Sequence, residues 1–342
     1  MYLPIAIAAL SLPPSMQGRL AASTAPSGYV VVYGVKTVTP TLTLEEGRKR
    51  GIWYGDIPKV HVTRLFSVDP SSGKETLVFS DETLPVMILN REGSGETALY
   101  GIVATNPTQH NAVALGGLRP GPGEKPRPAP SLYELSLDGS NAMRKISDVE
   151  AMIAFAVSRD GEQIAYFLYH PNRLVIRSTG SGKVTREISL EGNEFADLPS
   201  LSWSPDGAAV LIRRWSGPEH ETEYDLADIL EARIERTGIR GQIYSFLPKT
   251  NRLLGAHLIY DKSNASPRRQ FFSMALRERD PVNLPLPQCR ESWHAEVSPD
   301  EKLIAFPCNQ GIVIGTMAGD DEKKSRREVP VGRAEVIGWI AK

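Results

Sequence analysis

Long apolar runs, cysteine clusters and an excess of charge of either sign are all missing from this chain of 342 residues. Its longest apolar run, Leu3 to Leu12, is too short to cross a bilayer, so no membrane span is expected. There are 2 cysteines, which excludes a disulfide-rich scaffold and leaves no Cys/His spacing for a structural zinc. With 39 basic and 40 acidic residues the net charge is −1, and the one basic cluster, "EKKSRRE" (Glu322 to Glu328), reads as a solvated loop. Nothing in that balance suits nucleic acid. Catalytic signatures are missing too. The chain has no Gly-x-Ser-x-Gly elbow, no His-Glu-x-x-His and no calcium loop. "STGSGKVT" (Ser178 to Thr185) lacks the first glycine of a phosphate loop and has Val184 after Lys183.

What is abundant is punctuation, 29 glycines and 26 prolines, placed in a repeated pattern. "LSWSPDGAAVLI" (Leu201 to Ile212) sets Ser-Pro-Asp-Gly between two apolar runs, a residue order that suits a tight β-hairpin. "AVSRDGEQIAY" (Ala156 to Tyr166) and "EVSPDEKLIAF" (Glu296 to Phe306) repeat it. Asp160 and Asp206 are 46 residues apart, and Asp206 and Asp300 are 94 apart, twice 47. A weaker copy is read at Ile88 to Ile102. A second hairpin type is read at Leu65–Phe79, Leu132–Ile146, Leu174–Ile188, Ile243–Leu258, Phe271–Leu286 and Ile312–Val329. Two hairpins per period of this length make a four-stranded propeller blade. The expected fold is all-β, a six-bladed β-propeller of four-stranded antiparallel blades, with the inner hairpin of blade five degraded around "LIYDKSNASPRRQ". "EVIGWIAK" (Glu335 to Lys342) resembles an inner strand without a following hairpin, with Trp339 placed like Trp203. It is expected to close the ring on the first blade.

The Ser-Pro-Asp-Gly turn followed by "IAY" or "IAF" resembles the repeat of TolB-like β-propellers, within the wider group of WD-repeat-like propellers. The resemblance runs from about Tyr29 to the C-terminus and implies the fold. It implies little about function, because propellers serve as scaffolds, enzymes and sensors alike.

Residues 1–25 read as a leader, with small residues at Ala21, Ser23 and Ala25 suited to processing, and 29–342 as one propeller domain. A periplasmic or secreted location is therefore expected. In an exported protein Cys289 and Cys308 would suit a disulfide, while two unrelated buried thiols are the alternative.

If strands run a to d outward from the axis, a–b and c–d turns share one face and b–c and d–a loops share the other. Long insertions are read in b–c loops, at Thr105–Pro130 and Trp215–Gly241, together with His110, His170 and His220. The second insertion is expected to hold one helix, since Leu226, Ile229, Leu230 and Ile234 fall at helical spacing. His170, Arg214, Trp215, His220, Glu221 and Glu223 are the candidate partner-binding residues, because Arg and Trp often anchor interfaces and an acidic run steers a basic partner. Acidic residues read into the d–a loops (Asp81 and Glu82, Asp148 and Glu150, Glu194 and Asp197, Glu291, Glu335) could ring the channel mouth. Such a ring would hold calcium or another divalent cation. His294 and Glu296 alternate on the innermost strand of blade six and read as a hydrogen-bonded pair. The expected function is a non-enzymatic scaffold, a monomer that binds a protein or peptide, without a cofactor. The alternative is a channel-site, metal-assisted hydrolase or lactonase.

Overall fold

The computed structural model describes residues 28–38, 60–80, 86–87, 102–104, 109–116, 131–149, 152–168, 172–190, 200–216, 221–259, 268–277, 280–284, 286, 295–308, 311–317, 326–330 and 334–342. Strands β1 (Tyr29–Val38), β2 (Val60–Val68) and β3 (Glu75–Ser80) begin the first blade, with β4 (Val86–Met87) beside β2. Blade two is β5 (Ile102–Ala104), β6 (Asn111–Gly116), β7 (Ser131–Ser136) and β8 (Met143–Asp148). Blade three is β9 (Met152–Val157), β10 (Gln163–Leu168), β11 (Arg173–Ser178) and β12 (Val184–Ser189). Blade four is β13 (Leu201–Trp203), β14 (Ala209–Ser216), β15 (Glu221–Asp228) and β16 (Arg233–Arg240). Blade five is β17 (Gln242–Phe246), β18 (Arg252–Ile259), β19 (Arg268–Ala275) and β20 (Val282–Asn283). Blade six is β21 (Glu296–Val297), β22 (Leu303–Cys308), β23 (Gly311–Thr316) and β24 (Arg326–Val329).

The last strand, β25 (Ala334–Ala341), pairs antiparallel with β1 and becomes the innermost strand of blade one, as expected for ring closure. Val31 lies opposite Trp339 and Val30 opposite Ile340. Pairing with β25 covers the inner edge of β1. Six apolar clusters mark the six junctions, and each draws side chains from two neighbouring blades. Two tryptophans repeat one inter-blade bond. Trp203 Nε1 donates to the Ala156 carbonyl at 3.1 Å, and Trp339 Nε1 donates to the Glu296 carbonyl at 3.1 Å. Each thereby ties its inner strand to that of the preceding blade.

The three Ser-x-Asp turns share one hydrogen-bond pattern. Ser158, Ser204 and Ser298 each donate through Oγ to the aspartate two residues on, at 2.6 Å. The same Oγ atoms accept from the amides of Gln163, Ala209 and Leu303 at 2.9 Å. Gly161 and Gly207 follow the aspartates with φ of 74° and 70°, where a side chain is strained. In blade six that position holds Glu301, at φ 54°. Its Oε1 accepts from the Thr250 amide at 2.8 Å and from the Lys249 amide. This bond to the neighbouring blade offsets the local strain. At Asp206 the Ser204 hydroxyl, backed by the Ala208 amide, holds the carboxyl below its ordinary value. Asp206→Ala is expected to cost about 1 kcal/mol. Urea unfolding at neutral pH checks this, and the loss should vanish as acid protonates Asp206 in the parent protein.

Several expectations are corrected. The segment expected to be a helix is the hairpin β15–β16, turning at residues 229–232. The helical spacing arose because a blade buries both of its faces. Tyr224 and Leu226 pack toward blade five, while Ala227, Ile229 and Ile234 pack toward blade three. This hairpin is therefore the outer half of blade four, not an insertion. Ile243–Leu258 then becomes the inner hairpin of blade five, β17–β18, which is not degraded. In blade two the inner hairpin is β5–β6, so His110 lies in an a–b turn, at φ 54°, not in a b–c loop. The copy read at Ile88–Ile102 lies outside the described residues except for Ile102, which opens β5.

Candidate functional site

The a–b turns converge on one mouth of the central channel, and there the polar groups bind each other. Arg159, in the blade-three turn, reaches over this mouth. It donates through Nη1 to the Pro248 carbonyl of blade five and through Nη2 to the Pro299 carbonyl of blade six, at 3.5 Å. Together with the Glu301 bonds to blade five, this side chain makes the a–b face a hydrogen-bonded cap. A depression of about 330 Å³ between the turns of blades three and four is bounded by Asp160 and Asp206, whose carboxylates bind their own turns.

On the opposite face, strands β14 and β15 bring two of the sequence candidates together. Arg214 lies opposite Glu223 in the ladder, and its guanidinium binds both Glu223 and Asp225, the latter at 3.0 Å from Nε. Arg240 adds a second ion pair to Glu223 at 3.3 Å. Asp225 is fully buried and its Oδ2 has no hydrogen-bond partner. Burial pushes its carboxyl above the ordinary carboxylate value, against the pull of Arg214 and Arg236. From the sequence Asp225 is only the end of the acidic run that begins at Glu219; its pairing with Arg214 follows from the β14–β15 ladder. The cluster firmly orders the end of the blade-four hairpin, and Arg214 is engaged internally rather than presented outward.

Trp215 and Glu221 contribute backbone to the same ladder, opposite Thr222 and Ser216 respectively, and their side chains lie outside the described residues. His170, His220 and His294 lie outside them too, as do Asp81, Glu82, Glu150, Glu194, Asp197 and Glu291. The side chain of Glu335 is likewise outside. Asp148 does not face the channel mouth. It ends β8, the outermost strand of its blade, where it accepts from Ser131 Oγ at 2.7 Å and pairs with Lys145 at 2.5 Å. Among the described residues no group of three His, Cys, Asp or Glu side chains could hold a metal ion. No helix among them is long and apolar enough to cross a membrane. Cys308, at the end of β22, is disulfide-bonded, and the chain's other cysteine, Cys289, lies outside the described residues.

Comparison with known proteins finds the fold and no close relative. No protein-family model matches the chain, and no curated protein does. Among solved structures it is similar to TolB from Acinetobacter baumannii, with a TM-score of 0.58 and 13 % identity over 92 % of this chain and 67 % of that one. It is also similar to a chain in the structure of a nidogen/laminin complex, with a TM-score of 0.55 and 7 % identity over 91 % of this chain and 97 % of that one. These likenesses, with the six closed blades, give the chain the six-bladed propeller fold found in TolB.

Proposed function

We propose that this propeller is an exported, non-enzymatic scaffold that binds a protein or peptide through its b–c/d–a face. The observation that carries the reading is the bridge from Arg159 to Pro248 and Pro299. It occupies the a–b mouth with internal hydrogen bonds, so the face with the long connections is the one left for recognition. Those connections include residues 39–59, between β1 and β2, and 117–130, between β6 and β7. Trp215, Glu221 and Glu223 lie in the β14–β15 ladder, with Arg214 holding Glu223 in place, and His170 and His220 are read from the sequence alone into the b–c connections of blades three and four. The fold also occurs in a structure of a protein–protein complex, that of nidogen with laminin. A disulfide at Cys308 accords with an oxidising, exported location, periplasmic or secreted.

The test replaces residues 39–59 and 117–130 by short turns and compares partner capture from a native extract with that of the parent. Capture is expected to fall while the melting temperature holds. Arg159→Ala, on the other face, is expected to leave capture intact. Full capture by the shortened protein, with loss in Arg159→Ala, would move the site to the a–b face.

A further inference from the structure

Three junctions of the ring are tied at the outer rim by the same device. Arg144 of blade two donates to the Thr179 carbonyl in the c–d turn of blade three, at 3.4 Å. Arg186 of blade three donates to the Leu230 carbonyl of blade four at 2.6 Å. Arg327 of blade six donates to the Asp69 and Pro70 carbonyls of blade one. These arginines hold one register position. They lie opposite Glu134, Ile176 and Ile314, each two residues before the end of the third strand of its blade. Between blades one and two the Ser80 amide donates to Asn141 Oδ1 at 2.8 Å, so the rim is bonded from blade six round to blade four.

In blade four the same position belongs to Glu235, opposite Leu226 in β15. Leu226 packs into the junction with blade five, so Glu235 faces blade five as each arginine faces its next blade. The arginines' acceptor carbonyls lie within two residues of the end of a third strand, a place held in blade five by Leu276 and Arg277. Glu235, Leu276 and Arg277 line a lateral groove of about 390 Å³, floored by Leu226, Ile239, Phe272 and Met274. A carboxylate and a carbonyl are both acceptors, so no hydrogen bond can join them. Among the described residues the Glu235 carboxylate makes no hydrogen bond or ion pair. Arg236 and Arg240 do not supply the missing donor, since they lie on the blade-three face, opposite Asp225 and Glu223.

We propose that the outer half of the junction between blades four and five is a cleft that opens and closes, kept unlatched by Glu235. Its hinge is the inner half, where Tyr224 OH accepts from the Ile243 amide at 2.8 Å and donates to the Ile243 carbonyl at 3.3 Å. The a–b face holds the same half, since Arg159 and Glu301 bond the blade-five turn. Opening moves the c–d turn of blade five away from β16 and bares Leu226, Phe272 and Met274. Local opening follows the weakest contacts of a fold, and here two acceptors stand where the neighbouring junctions have a rim bond.

The test is oxidation of the full chain by dilute hydrogen peroxide, with each methionine sulfoxide followed by peptide mass spectrometry. Met274, on the groove floor, is 7 % exposed, and Met143, on β8, is 39 % exposed and serves as the reference. In urea below the unfolding transition the Met274 rate is expected to stay nearly constant, since local opening exposes far less surface than unfolding. Glu235→Arg, which supplies the missing donor, is expected to slow Met274 about fivefold, the effect of one net hydrogen bond, with Met143 unchanged. Glu235→Gln, whose amide also donates, should slow it in the same direction, and Glu235→Ala, which has no donor, should not. The melting temperature reports that each variant is folded. A Met274 rate that climbs with urea as global unfolding does, no slowing in either donor variant, or equal slowing in Glu235→Ala would overturn the proposal. These readouts do not involve the b–c/d–a face, so they stand apart from the test of partner capture.

Discussion

A chain ending at Val336 is expected to show no cooperative thermal transition. Deleting Ile337–Lys342 removes most of β25, and with it Ile337, Trp339 and Ile340, all at most 4 % exposed. These side chains serve both junctions of blade one. Ile337 and Ile340 pack toward blade two, and Trp339 packs toward blade six, where it also bonds the Glu296 carbonyl. Lys342, which pairs with Asp69 at 3.1 Å, goes with them. Removing a large buried side chain costs about 2–5 kcal/mol, so three together cost about 10 kcal/mol. A whole domain is stable by only about 5–15 kcal/mol. The opened ring would also expose the inner edge of β1 to pairing with other chains. Circular dichroism melts of the truncated and full chains decide the matter. An unchanged melting temperature would show that closure contributes little.

The second large effect is expected at Arg214. Arg214→Met leaves Asp225 buried without its guanidinium, and breaking a buried pair in this way costs about 3–5 kcal/mol. The loss should depend on pH, with a definite sign. Burial already raises the Asp225 carboxyl above its ordinary 3.8, and losing Arg214 raises it further. The folded state then binds a proton that the unfolded state releases, across the window between 3.8 and the raised value. Stability therefore recovers as pH falls through the raised folded value and is fully recovered below the unfolded one. The variant should be most impaired at neutral pH and closer to the parent near pH 4. Replacing the partner as well, as Arg214→Met/Asp225→Leu, should restore much of the loss at neutral pH. Urea titrations at both pH values test this, and an equal deficit at each would mean that Asp225 is not the source.

The two effects differ in how far each was visible beforehand. The closing strand was legible because "EVIGWIAK" repeats the tryptophan placement of "LSWSPDG", and a strand needs a partner wherever its sequence lies. The ion pair needed the ladder of β14 and β15, and that ladder was hidden by apolar spacing that resembled a helix.

What the sequence determined by itself was local. The Ser-x-Asp turns close through bonds between residues two to five apart, so their period and the blade count could be read along the chain. The boundary between blades four and five was decided by tertiary packing. A strand covered on both faces loses its alternation, because Leu226 and Ala227 are drawn into different junctions. The same holds for the Arg159 bridge, whose partners lie 89 and 140 residues away, and for the groove that joins β16 to β19. Turn chemistry is written in neighbouring residues, whereas the channel cap and the lateral groove exist only where the closed ring brings distant blades together.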